Sequence, residues 1–73
     1  MTTLMWEVRA ARGRLDELVA HVRGHVHPDA QVYRSDDPDP RVVVIDPTGT
    51  GPAGTPPDLI ARPPHEWHFE RVD

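Results

Sequence analysis

From Leu4 to Ala10 the chain alternates. Leu4, Trp6, Val8 and Ala10 fall on one side, and Met5, Glu7 and Arg9 on the other. A period of two predicts a strand with one dry face. Gly13 breaks it and opens a helix. There Leu15, Leu18, Val19 and Val22 recur at helical spacing, the stripe of a helix lying on a sheet. Asp16 and Glu17 occupy its first turn, where carboxylates favour the helix dipole. Gly24 is placed to cap its end and Pro28 ensures that it has stopped. Ala30 to Arg34 reads as a short strand and Asp36 to Pro40 as a tight turn. The β-branched run Val42 to Ile45, within Arg41 to Asp46, predicts a central strand buried on both faces. These two strands make a hairpin. Pro47 to Pro57, PTGTGPAGTPP, reads as a mobile loop. Asp58 to Arg62 gives one helical turn, opened by Pro56 and Pro57 and ended by Pro63 and Pro64. Glu66 to Val72 is the last strand, with Trp67, Phe69 and Arg71 on one face and His68 and Glu70 on the other.

The order is β-α-β-β-(short α)-β, an α+β arrangement in ferredoxin-like order with its second helix reduced to a turn. It predicts one domain over residues 1–73, built on a single four-stranded antiparallel sheet. One helix and a stub leave one sheet face thinly covered and the other bare, which argues for a homodimer.

Size strengthens that argument. Seventy-three residues give a thin core, and chains this short usually need a disulfide, a metal or a partner subunit. With no cysteine, disulfides and thiolate metal sites are excluded. Eight Arg against twelve acids give a net charge of −4, and the Arg residues are scattered, so no nucleic-acid footprint is present. The apolar runs are too short to span a membrane and no secretory pattern is visible, so a cytoplasmic protein is expected.

Gly13-Arg14-Leu15-Asp16-Glu17-Leu18 resembles the strand-to-helix junction of small dimeric α/β-barrel proteins of the antibiotic biosynthesis monooxygenase type. Gln31 to Asp46, QVYRSDDPDPRVVVID, resembles the hairpin of the same group. The resemblance covers roughly residues 4 to 46 and departs at Thr48 to Pro64, where members carry a full second helix. It implies a dimeric α/β barrel that binds or transforms an apolar small metabolite in secondary metabolism. If enzymatic, the activity would be monooxygenase- or cyclase-like, with no cofactor. No catalytic residue of the family maps here position by position.

The residue types offer three readings of function. Glu7, Arg9, His68 and Glu70 would share the face away from the helix. There they would form either an acid/base set with His68 tuned by a carboxylate, or a structural ion-pair network. Met5, Trp6, Trp67 and Phe69 are candidates to line a ligand cavity; large rings are also what a small core uses for burial. These features fit the metabolite-binding reading. The alternative is a non-catalytic interaction or accessory protein that uses the open sheet face. A further alternative is histidine-based metal binding. His21 and His25 are four apart and His27, His65 and His68 follow, but Gly24 would break the helical register between the first two. No metal is therefore assigned. Asp36, Asp37 and Asp39 lack the glycine and glutamate of a calcium loop and read as turn formers. The segment Gly49 to Gly54 has no lysine to make it a phosphate loop.

Overall fold

The computed structural model describes residues 2–73. Strand β1 (Thr3–Arg9) is followed by helix α1 (Leu15–Arg23), strands β2 (Gln31–Ser35) and β3 (Arg41–Asp46), a short 3-10 turn (Pro57–Leu59) and strand β4 (His65–Phe69). The strands form one antiparallel sheet in the order β2-β3-β1-β4. This is a small α+β domain, and its topology is compatible with a ferredoxin-like fold.

The alternation in β1 becomes burial. Leu4, Trp6 and Val8 are buried on the helix side of the sheet, in one core with Val42 and Val44 of β3 and Leu15, Leu18 and Val22 of the helix. Ala10 continues the dry row and bridges Ile60, while Leu59 closes the core from the 3-10 turn. The helix starts after Gly13, whose φ of +73° suits glycine. Its first turn is held by Arg14, whose guanidinium donates to both carboxylate oxygens of Glu17 at 2.8 and 2.9 Å. Gly24 stands at the C-cap, but in right-handed conformation (φ −82°) rather than the left-handed one.

Three expectations are corrected. Strand β3 is central yet not buried on both faces: Val42, Val44 and Asp46 are buried, whereas Arg41, Val43 and Ile45 are half-buried. The reason is that only one face of the sheet carries a helix. The last strand ends at Phe69, so Glu70 and Arg71 lie outside it. Its facing is also reversed. Met5 is opposite Trp67, Thr3 opposite Phe69 and Glu7 opposite His65. Cross-strand partners share a face, so Trp67 and Phe69 lie on the bare face, and His68 lies on the helix side opposite Leu4. A shift of one residue in register exchanges the two faces of a strand.

A single helix, about 10–12 Å across, cannot roof four strands spaced about 4.8 Å apart. The helix lies nearest β3 and β2, the segment around Leu59 and Ile60 packs beside β1, and β4 lies beyond both. All five residues of β4 are exposed for this reason.

Candidate functional site

The bare face of the sheet gathers most of the large exposed apolar side chains among the described residues. Reading across the strands, one row runs Trp67, Met5, Ile45, Gln31; the next runs His65, Glu7, Val43, Tyr33. Phe69 and Thr3 flank the first row, and Arg9, Arg41 and Ser35 follow the second. Trp67, Phe69 and Tyr33 are about half exposed (46%, 50% and 52%), well above what aromatic rings in a finished core show. His65 sets its ring edge-on to Trp67 with centroids 5.9 Å apart. The surface is an apolar, aromatic platform with one charged border.

That border is a mixed-sign cluster. Asp39 lies 3.2 Å from Arg9 and 3.6 Å from Arg41, and Glu7 lies 3.8 Å from Arg41 and 3.9 Å from His65. The Glu7 side chain is only 12% exposed although it sits on the bare face. One of its carboxylate oxygens, Oε2, and the Nε groups of Arg9 and Arg41 are buried without a hydrogen-bond partner within the chain. Glu7 Oε2 keeps its ion pair with Arg41, but none of the three atoms is hydrogen-bonded within the chain, which is costly for buried polar groups.

Of the residues anticipated as catalytic, the structure brings together Glu7 and Arg9, with Arg41 between them and Asp39. It does not add His68 or Glu70: His68 is on the opposite face, and Glu70 lies beyond β4. His65 takes the place beside Glu7. Of the residues anticipated as ligand-lining, Met5, Trp67 and Phe69 share the platform, while Trp6 is 4% exposed in the core. The two cavities beside the fold touch neither Trp6 nor Trp67, though Tyr33 borders the first. The first is lined by α1 and β2, the other by Pro57, Ile60 to Pro64.

The histidines behave differently from expectation. The right-handed Gly24 preserves the turn, so the rings of His21 and His25 stack with centroids 4.0 Å apart. Nδ1 of His25 donates to the His21 carbonyl at 2.7 Å. Among the described residues, no three His, Asp or Glu side chains are grouped closely enough to hold a metal ion.

Asp46 is a residue whose role the sequence reading missed. Fully buried at the end of β3, it accepts hydrogen bonds from the Thr48 N–H (2.8 Å), the Thr48 hydroxyl (2.6 Å), the Thr50 hydroxyl (3.2 Å) and the Gly51 N–H (2.8 Å). Burial pushes its carboxyl pKa up, but these donors outweigh burial and hold it at about 2. The spacing D-x-T-x-T-G was the available signal, since Asp and Thr commonly bind backbone a few residues on. The loop read as mobile is thus tied down in its first half. This is structural work, away from the platform.

No helix of the described residues is long and apolar enough to cross a membrane. No protein-family model, curated protein or solved structure matches the chain.

Proposed function

We propose that this chain is a non-catalytic interaction domain that forms a homodimer through the bare face of its sheet. The observation that carries the reading is the aromatic platform of Trp67, Phe69, Met5 and Tyr33, bounded by a border with buried polar atoms not hydrogen-bonded within the chain. Exposed aromatic side chains gathered on one sheet face and edged by charge are characteristic of contact sites. A second copy is the occupant for two reasons. The border carries both signs, Arg9 and Arg41 against Glu7 and Asp39, so an identical face offers an acid for each arginine. The core is also small, with ten buried apolar residues, and burying the platform supplies what a domain of this size lacks.

The enzyme reading, of the antibiotic biosynthesis monooxygenase type, has less support. His68 and Glu7 lie on opposite faces, and neither described cavity reaches the tryptophans. A two-sheet barrel formed by the dimer would still be compatible with the topology.

Sedimentation equilibrium tests the proposal. The wild-type chain is expected to dimerise, and replacing Trp67 and Phe69 together by serine is expected to weaken the dimer at least tenfold with the far-ultraviolet circular dichroism unchanged. A wild-type monomer at the highest soluble concentration refutes the dimer. A dimer untouched by the double substitution refutes the face.

A further inference from the structure

Between the C-terminal half of α1 and the edge strand β2 lies a cavity of about 470 Å³. The helix runs over β3 and β2, and the groove opens between its C-terminal end, the segment that follows it and β2. Its floor is Val19, Val26, Ala30 and Val32, partly buried apolar side chains continuous with the core. Arg23, His27 and Arg34 stand around its rim.

The three basic groups are not equivalent. Arg34 is held by Asp16 at 2.8 Å and by Asp36 at 3.4 Å. His27 Nδ1 accepts the Asp29 N–H at 3.0 Å. Arg23, in the last turn of the helix, makes no ion pair among the described residues. A helix C-terminus ordinarily disfavours anions through its free carbonyls. Here the Gly24 N–H donates to the carbonyls of Ala20 and His21, and the His25 N–H to that of Val22. The negative end of the helix is therefore largely satisfied next to the free guanidinium.

We propose that this groove binds a small organic acid, its apolar body on Val19, Val26 and Val32 and its carboxylate on Arg23. The volume falls in the range of about 300–1,000 Å³ typical of small-molecule sites. A guanidinium grips a carboxylate through two parallel N–H bonds, and an apolar floor selects a hydrocarbon or aryl body over a bare anion. The groove opens on the helix side of the sheet, opposite the dimer face, and Tyr33 of β2 borders both.

The test is a two-dimensional ¹H–¹⁵N titration of the full chain with 3-phenylpropionate, and in parallel with the uncharged 3-phenylpropionamide. Saturable shifts are expected at the amides of Val19, Arg23, Val26, Ala30 and Val32, with the amide compound binding at least tenfold more weakly. Arg23→Gln is expected to lower affinity for the acid at least tenfold, and Arg12→Gln, at an exposed position outside the groove, to leave it unchanged. The proposal is overturned if the acid gives no saturable shifts, if the shifts map elsewhere, or if acid and amide bind alike. Equal affinity of Arg23→Gln and wild type for the acid overturns it as well. The acid–amide comparison uses only the wild-type chain, so it stands whether or not the variants fold.

Discussion

Replacing Asp46 by asparagine isolates the charge that organises the loop after β3. Asparagine keeps the shape and one acceptor oxygen, but it turns an amide NH₂ toward either the Thr48 or the Gly51 N–H. Both of those donate to the carboxylate at 2.8 Å in the native chain. A buried donor left facing a donor costs about 1–3 kcal/mol, and hydrogen bonds to a charged acceptor contribute about 1.5–3 kcal/mol. The expected loss at pH 7 is therefore roughly 2–3 kcal/mol, against a total of roughly 4–11 kcal/mol for a domain of this length. The pH dependence gives a second estimate. The carboxyl pKa is 3.8 for the ordinary group and about 2 in the fold, so the group adds about 2 kcal/mol to stability. Because the folded value is the lower one, that contribution is complete above the ordinary pKa. It falls away as acidification approaches about pH 2. Urea denaturation followed by tryptophan fluorescence at several pH values from 7 down to 2 measures both effects. The chain carries eleven other acids, so the informative quantity is the difference between wild type and Asp46→Asn. That difference should be largest at neutral pH and shrink below pH 4. A variant within about 0.5 kcal/mol of wild type at pH 7, or a gap that does not narrow in acid, would refute the reasoning; the first bound is the usual spread of inconsequential surface changes.

Gly51→Ala should destabilise by about 2 kcal/mol or more in thermal unfolding. Its φ is +71°, and an added Cβ would fall 2.5 Å from Cδ2 of the buried Leu4, so strain and overpacking combine; an unchanged melting temperature would contradict this. Leu18→Ala, at a fully buried helix position over the sheet, should cost about 2–5 kcal/mol in urea denaturation. A cost under 1 kcal/mol would mean that the helix is not the roof of the core.

The element order was legible because the strongest signals are local. Leu4, Trp6 and Val8 alternate, Leu15, Leu18 and Val22 recur at helical spacing, and Gly and Pro punctuate both. Burial followed these patterns closely in β1 and α1. The platform was half legible. Its β1 members, Met5, Glu7 and Arg9, follow from the alternation, but the facing of β4 depends on its register against β1. Nothing within HEWHF distinguishes the two choices, since apolar and polar residues alternate either way and no helix covers the strand. Alternation alone puts Trp67 and Phe69 on the helix side and His68 beside Glu7, whereas the register puts both rings on the bare face and His65 beside Glu7. Asp46 was missed for another reason: it continues a β-branched strand and reads as its polar terminus, and only the fold of the next five residues makes it an acceptor.

The sheet order leaves β2 and β4 each with one row of backbone groups unpaired. Such edges invite strand addition and, with it, open-ended aggregation. Pro63 and Pro64 stand immediately before β4 and offer no N–H, while His65, Glu66 and His68 place ionisable groups along it. Arg34 in β2 serves similarly on the other edge. Charge and proline blunt these edges, while Trp67, Phe69 and Tyr33, which stand on the same two strands, turn to the bare face. Pairing through a face about a two-fold axis closes after two copies, whereas pairing through an edge can continue without limit. A dimer through the bare face, as proposed, would therefore be a finite assembly.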